Sequence, residues 1–125
     1  MRDYKVVQNL RYIFKISNMW INFQNSNEYN PCHYHPNSDI SFIIYIKIPN
    51  EIYEEQIFDS SRSSPPGSIN FFYGEPKINY ITHINIIPKE CEIMFFPSDL
   101  RHEVLAFKSK FQRISVAGNL KLKKY

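Results

Sequence analysis

Short runs of β-branched and aromatic residues recur along this chain about every ten residues, and this spacing limits the possible folds more than any other feature. Each run is bounded by Pro, Gly, Asn, Asp or Ser, which favour turns. Seven runs are strand candidates: ISFIIYIKI, QIFD, SINFFYG, THINIIP, CEIMFFP, HEVLAF and RISVAGNLKL. The opening stretch YKVVQNLRYIFK fits a weak helical pattern or a strand. The pattern predicts an all-β sandwich or closed barrel of the jelly-roll kind, with little or no helix.

Length and composition narrow the class of protein. The chain has 125 residues, including ten Phe, nine Tyr and only three Gly, so we expect one folded domain over residues 1–125. Its apolar stretches fall short of the roughly 20 residues that cross a bilayer, so we expect no membrane association. Cys32 and Cys91 show no CxxC spacing, and the N-terminus lacks the apolar region of a secretory signal. We therefore expect reduced thiols and a cytoplasmic location.

The charge is distributed unevenly. The net charge is +3, and Glu103 is the single acid among seven basic residues between Arg101 and Tyr125. This basic quarter is not accompanied by a helix or an aromatic platform of the kind that binds nucleic acid. We therefore expect a solvated terminal strand and no nucleic-acid partner.

The histidines are the first candidate functional residues. His33 and His35 stand one residue apart, so both imidazoles would project from one face of an extended strand. His102 ends a later apolar strand, and we expect it to reach the same space from across the barrel. Three imidazoles leave coordination positions open, as in an iron or zinc site that also binds substrate. Plain packing is the alternative, and it is our expectation for His83.

Arg113 is the second candidate. It lies eleven positions after His102 on the apolar strand FQRISVAGN. If its guanidinium faces inward, it needs an anionic partner, and a carboxylate ligand would supply one. The alternative is an outward, solvated side chain.

Four segments resemble, in order, the motifs of 2-oxoglutarate-Fe(II) oxygenases of marine bacteria and their phages, which are related to prolyl hydroxylases. The segments are NEYNPCHYHPNSDISFIIYIKIP, INFFYGEP, IIPKECEIMFFPSDLRHEV and RISVAGN, and the resemblance covers roughly residues 18–119. It implies a double-stranded β-helix (jelly roll) that binds Fe(II), O2 and the co-substrate 2-oxoglutarate. The implied reaction hydroxylates a second substrate, which the sequence does not identify, and converts 2-oxoglutarate to succinate and CO2.

The resemblance also implies roles for individual residues. His33 and His102 match the first and distal iron ligands, and Arg113 with Ser115 matches the "RxS" clamp that holds the co-substrate carboxylate. Tyr29 and Tyr45 fall where the superfamily often places a tyrosine near the co-substrate. A phage-encoded enzyme of this kind would act in the host cytoplasm.

The sequence departs from the family at His35, where the usual motif has a carboxylate. Three-histidine iron sites exist in other dioxygenases, so we expect His35 to be the third ligand. Asp39 is the alternative, because the HxHx(3)D spacing and PSDLRH also resemble cupin motifs. The glycines that cupins use at these turns are missing, with Cys91 and Asp99 in their places, and cupins do not require Arg113, so the oxygenase is favoured. The alternatives are a cupin-type metalloprotein that ignores 2-oxoglutarate and a non-catalytic jelly-roll binding or virion module with a vestigial site.

Three further expectations concern the surroundings of the site. The Ser/Pro-rich stretch DSSRSSPPGS is expected to form a mobile loop and a possible lid. Phe71, Phe72 and Phe96 are candidates for the pocket wall, although packing in the core is the simpler role for each. Because the chain resembles a bare β-core, a homodimer that covers the outer sheet is possible.

Overall fold

The structure is a computed structural model that describes residues 12–59, 63–74 and 82–124. These residues form eight strands and one helix. In chain order the elements are β1 (Tyr12–Gln24), β2 (Asn30–His33), β3 (Ile40–Lys47), α1 (Asn50–Phe58), β4 (Ile69–Phe72), β5 (His83–Ile86), β6 (Ile93–Pro97), β7 (Arg101–Val104) and β8 (Arg113–Lys124). The predicted all-β class is confirmed.

The strands form two four-stranded sheets in which every pairing is antiparallel. The large sheet has the order β1-β8-β3-β6, and the small sheet has the order β2-β7-β4-β5. Strands from opposite ends of the chain are therefore neighbours, which is the strand arrangement of a jelly roll. The core is built from the inner faces of both sheets, from helix α1 and from two connecting segments. It consists of Ile43, Tyr45, Ile48, Ile52, Ile69, Phe71, Phe96, Phe107 and Ala117.

The prediction of a strand at QIFD is wrong, because its first three residues end helix α1 and Asp59 is the C-cap of that helix. The helix begins directly after Pro49, and its residues include three Glu and one Gln, which form helices well. Ile52 and Gln56 are buried together because residues four apart share one helix face. A four-residue apolar run was too short to distinguish a strand from the end of a helix.

The opening segment was ambiguous, and its described part is a strand. Residues 4–11 of YKVVQNLRYIFK lie outside the described residues, whereas residues 12–15 begin β1. This strand continues to Gln24, so the sequence reading missed most of it. Over its last four residues, Ile21 to Gln24, apolar and polar residues alternate, which is the ordinary signature of a strand.

The Ser/Pro-rich loop is not a mobile lid over its second half. Residues 60–62 lie outside the described residues, but Pro66, Gly67 and Ser68 are buried. The carbonyl oxygen of Pro66 accepts a 2.8 Å hydrogen bond from the Gln56 side chain, and Gly67 N–H donates to the carbonyl of Ala106. Gly67 has φ of 72°, a conformation that favours glycine. This part of the loop can be buried because the backbone groups of Pro66 and Gly67 have hydrogen-bond partners.

The outer face of the large sheet, which points away from the core, is strongly apolar. Registered neighbours in an antiparallel sheet share a face, so Ile21, Val116, Ile44 and Ile93 form one row across all four strands. Seven large side chains on this outer face are between 48% and 61% exposed: Phe14, Ile16, Met19, Ile21, Phe23, Ile93 and Phe95. With about 100 Å² exposed on each, they present roughly 700 Å² of apolar surface. Monomers seldom expose so much.

The homodimer remains a prediction, and we expect the outer face of the large sheet to form its interface. The exposed apolar area approaches the roughly 800 Å² per partner of a standard interface, and an apolar surface of this size can pack against its own copy across a two-fold axis. We expect light scattering after size exclusion to show a dimer. Ile21→Lys should convert it to a monomer, because it would bury a charge at the centre of the interface.

Ile84→Lys is the matched control, because Ile84 is 49% exposed on the small sheet. This variant should remain a dimer. A monomeric wild-type protein, or equal behaviour of the two variants, would exclude the outer face as a dimer interface.

Candidate functional site

The three predicted histidines lie together. His33 ends β2 and is the direct cross-strand partner of His102 on β7. His35 lies just beyond β2, where its N–H donates a 2.8 Å hydrogen bond to the carbonyl of Ser98. One nitrogen from each imidazole lies within 4.8 Å of those of the other two. The three rings therefore converge on a single point.

Two details of the predicted geometry are wrong. His102 reaches the cluster from the strand beside His33 and not from across the barrel, because the jelly roll makes β2 and β7 neighbours. His35 does not share a strand with His33, because β2 ends at His33. The hydrogen bond to Ser98 gives His35 its position instead, and it joins this loop to the turn that leads to His102.

Backbone carbonyls orient two of the rings. His33 Nδ1 lies 2.7 Å from the carbonyl oxygen of Pro31, and His102 Nδ1 lies 3.0 Å from that of Leu100. A carbonyl only accepts, so each Nδ1 carries the proton and donates. The Nε2 atom of each ring then keeps its lone pair. This is the arrangement that protein structures use to prepare a histidine for a metal.

Burial favours the neutral form of the cluster. His102 is only 2% exposed and packs against the rings of Phe71 and Phe96. Burial lowers its pKa to about 4, although the hydrogen bond to Leu100 opposes this shift. Burial also lowers the pKa of His35, and nearby His33 lowers it further. At neutral pH, both imidazoles are therefore uncharged and available as ligands.

The cluster is chemically suited to a divalent transition metal. Three neutral imidazole nitrogens suit Fe, Zn, Ni or Cu, and they leave positions for other ligands. Among the described residues, the cluster contains no carboxylate. The Asp39 carboxylate instead accepts a 2.6 Å hydrogen bond from the Leu122 N–H, and Asp39 is exposed. His83 lies on β5 beside Phe72 and outside the cluster.

Arg113 faces inward and is only 4% exposed. Its terminal nitrogens donate hydrogen bonds to the Gly67 carbonyl and to Gln24 Oε1. The guanidinium carbon lies 5.7 Å from the ring centres of Tyr45 and Phe107. Burial lowers its pKa, while the hydroxyls of Tyr45 and Tyr53 oppose this shift. The alternative of an outward, solvated Arg113 side chain is therefore wrong.

The positive charge of Arg113 is not neutralised by the described parts of the chain. Both of its hydrogen-bond acceptors there are neutral, and no carboxylate contributes to the shift of its pKa. The nearby Glu28 carboxylate is bonded to the N–H and amide of Asn25. A buried and uncompensated guanidinium costs several kcal/mol, so an anionic ligand would relieve a real penalty.

The histidines and Arg113 line the same cavity of about 310 Å³. This volume is at the small end of the range for ligand pockets. Ser115 lies on β8 between Asn22 and Tyr45, its register partners, and lines the cavity with both. Tyr45 is almost fully buried, whereas Tyr29 is 67% exposed at the wall. All seven predicted site residues thus meet at one cavity.

Other residues at the cavity were missed by sequence reasoning. Trp20 and Gln24 line it from β1, with the Trp20 ring 5.7 Å from that of His35. The alternation of Trp20, Asn22 and Gln24 along β1 was the available signal, because every second residue of a strand shares a face. Of the three candidate aromatics, Phe96 lines the cavity, whereas Phe71 packs in the core behind it and Phe72 is only half-buried.

A sequence model of the family described as "Putative 2OG-Fe(II) oxygenase" matches residues 18–119 of the chain. The chain belongs to this 2OG-Fe(II) oxygenase family. The predicted resemblance is therefore confirmed, and the match includes the three histidines, both tyrosines, Arg113 and Ser115. No curated protein matches the chain in sequence.

The fold of this 2OG-Fe(II) oxygenase family member also has a solved relative. This chain is similar in fold to the crystal structure of an oxidoreductase, 2OG-Fe(II) oxygenase family, from Burkholderia pseudomallei, with a TM-score of 0.63 and 16% sequence identity. The match covers 89% of this chain and 46% of the relative, so the chain spans less than half of that protein's length. The similarity confirms the predicted jelly-roll fold.

Two further observations concern the predicted location. Cys32 and Cys91 are free and exposed. In the described residues, no helix has both the length and the apolar character required to span a membrane.

The geometry predicts which residues retain a metal. We expect His33→Ala, His35→Ala and His102→Ala each to reduce affinity for a divalent transition metal by at least about 100-fold, because each removes a direct ligand. Elemental analysis of untagged protein, reconstituted without oxygen, measures the occupancy. One metal ion per wild-type chain is the expected result.

His83→Ala and Asp39→Ala are the controls and should keep full occupancy. If Asp39→Ala empties the site while His35→Ala leaves it filled, the third ligand is Asp39. Equal occupancy in all five variants would contradict metal binding by the cluster.

Proposed function

We propose that this chain is an Fe(II)- and 2-oxoglutarate-dependent oxygenase that hydroxylates a second substrate and converts 2-oxoglutarate to succinate and CO2. Residues 1–125 would form a single oxygenase domain. The proposed location is the cytoplasm, or the host cytoplasm if a phage encodes the chain. Exposed free thiols are compatible with such a reducing compartment.

One observation carries the proposal: a single cavity holds both a three-histidine cluster and a buried, uncompensated arginine. A metal site alone does not require the arginine, and an arginine alone does not require the histidines. A ligand that has a metal-chelating group at one end and a carboxylate at the other would use both. 2-Oxoglutarate has this combination, and family membership favours it.

The histidines would hold the metal. His33, His35 and His102 would bind Fe(II) through one nitrogen each, and the carbonyls of Pro31 and Leu100 keep two of these rings in the ligating tautomer. When bound, iron supplies the oxygen chemistry that links 2-oxoglutarate decarboxylation to hydroxylation. Because three imidazole ligands would be neutral, they would not offset the charge of the Fe(II) ion. An anionic co-substrate would therefore be favoured.

Arg113 and Ser115 would bind the distal carboxylate of 2-oxoglutarate. A guanidinium can donate two parallel hydrogen bonds to a carboxylate, and the Ser115 hydroxyl two positions along the strand can add a third. Burial raises the pKa of Tyr45 to about 12, while Arg113 opposes the rise. Tyr45 therefore remains a neutral phenol that can donate a hydrogen bond to an anion. Tyr29 would contribute at the exposed wall.

Apolar side chains around the site would limit the access of water. Trp20 packs beside His35, while Phe96 and Phe71 cover one side of His102. Excluding water strengthens the electrostatic contacts of bound anions and limits side reactions. The protein thus orients the reactants and supplies a protected space for chemistry that the cofactor performs.

The proposal predicts a spectroscopic signal and a product. Under nitrogen, 2-oxoglutarate should give the Fe(II) protein the weak visible charge-transfer band of a chelated 2-oxo acid. In air, the protein should slowly form succinate even without its second substrate. Arg113→Lys should weaken 2-oxoglutarate binding by about 1–3 kcal/mol while iron content stays constant, because lysine cannot form the paired hydrogen bonds.

Arg101→Lys is the matched control, because Arg101 is exposed on β7. It should bind 2-oxoglutarate as the wild type does. An iron-loaded wild type with neither band nor succinate would favour the cupin-type metalloprotein, and no metal uptake would favour the vestigial module. If Arg113→Lys has no effect, the carboxylate anchor is elsewhere.

A further inference from the structure

Gln24 is the residue that holds Arg113 at the cavity. It ends β1 and is the register partner of Arg113, the first residue of β8. Its side-chain oxygen accepts a hydrogen bond from Arg113 Nη2. Its side-chain nitrogen donates to the carbonyl oxygens of Glu28 at 2.7 Å and Leu105 at 3.3 Å. One amide group therefore connects the guanidinium to two backbone segments.

These contacts allow only one orientation of the amide. If its oxygen and nitrogen were exchanged, the amide NH2 would face the Arg113 NH2, and the oxygen would face two carbonyl oxygens. Donors would then meet donors, and acceptors would meet acceptors. The backbone carbonyls thus fix Gln24 with its oxygen toward Arg113.

Gln24 is uncharged, so it can fix the guanidinium of Arg113 without neutralising its positive charge. Gly67 also holds Arg113 through a neutral carbonyl, so within the described parts of the chain both terminal nitrogens are fixed without an ion pair. A glutamate at position 24 would have the same length and would neutralise the guanidinium. The amide fixes the cation and leaves its charge available to a ligand.

We propose that Gln24 is a positioning residue that gives the cavity its preference for a co-substrate with a distal carboxylate. It acts through Arg113 by keeping the guanidinium fixed at the cavity and uncompensated. This inference rests on the proposed function of Arg113 as the carboxylate anchor. It assigns the selectivity for the anion to the pair Gln24–Arg113 and not to Arg113 alone.

The test uses binding and needs no turnover. Isothermal titration of Mn(II)-loaded protein compares 2-oxoglutarate with 2-oxopentanoate, which has the same chain length but no distal carboxylate. The wild type should prefer 2-oxoglutarate. Gln24→Glu should weaken 2-oxoglutarate binding by about 10- to 100-fold, the usual equivalent of one charge-assisted pair. Binding of 2-oxopentanoate should change by less than about 3-fold, since it does not use the guanidinium.

Two measurements separate positioning from a purely structural role. Metal content should be unchanged in Gln24→Glu. Its carboxylate pairs with Arg113 but cannot donate to the carbonyls of Glu28 and Leu105, so the ligand preference, and not the melting temperature, distinguishes the two roles. Gln112→Glu is the matched control: it adds the same charge one residue from Arg113, but at an exposed site. It should retain the wild-type preference. With a purely structural Gln24, the Gln24→Glu variant would bind 2-oxoglutarate and 2-oxopentanoate with the wild-type preference.

Gln24→Met provides a second variant in case the carboxylate prevents folding. It keeps the length of the side chain and removes the acceptor, so 2-oxoglutarate should bind several-fold more weakly. The inference is overturned if both Gln24 variants keep the wild-type preference while Arg113→Lys weakens it, and the proposed function then survives. If the metal-loaded wild type shows no preference for 2-oxoglutarate, both the inference and the anchor role of Arg113 are overturned.

Discussion

The antiparallel pairing of strands from opposite ends of the chain is the constraint on which the site depends. β1 pairs with β8, and β2 pairs with β7. The first pairing places Gln24 beside Arg113, and the second places His33 beside His102. These residues are distant in sequence, so closing the intervening chain costs entropy that the core and the ladder hydrogen bonds must offset. The same contacts that stabilise the fold therefore assemble both halves of the cavity.

The two halves of the cavity have complementary electrostatics. Burial lowers the pKa values of His35 and His102, so these two imidazoles of the cluster are neutral and can accept a cation. Arg113 remains a buried cation held by neutral acceptors, so it can accept an anion. The histidine cluster could hold a metal ion, and the Arg113 cation has no anionic partner among the described residues. A metal chelated by a carboxylate-bearing ligand would satisfy both, and this gives the proposed oxygenase chemistry its physical basis.

The large sheet serves different purposes on its two faces. Its inner face contributes Tyr45, Ser115 and Arg113 to the cavity, and its outer face is a continuous apolar surface. This explains the composition of β3, whose nearly unbroken apolar run is typical of a strand that is apolar on both sides. The inner residues are explained by the core and the cavity. The exposed apolar side chains of the outer face are the reason for the prediction that a second copy packs there.

The sequence by itself determined the strand-rich class and the family, and it predicted seven site residues that the structure places at one cavity. Period-two patterns and turn residues are local, so β3, β4, β5, β6, β7 and β8 were found where short runs predicted them. The clustering of the HxH pair with His102 and the inward orientation of Arg113 also agree with the sequence, because histidine pairs and charged residues on apolar strands are uncommon enough to be noticed by residue type. Helix α1 was missed because a four-residue run carries too little information to distinguish helix from strand.

Only the tertiary structure decided how these residues meet. It placed His102 beside His33, positioned His35 through the Ser98 carbonyl and directed Asp39 to the backbone of Leu122. It also buried Pro66, Gly67 and Ser68, and it brought the Gly67 carbonyl to Arg113. These facts depend on strand order and on hydrogen bonds between residues far apart in the chain. Local sequence patterns carry no record of such partners, so the environment that makes Arg113 an uncompensated cation exists only in the folded protein.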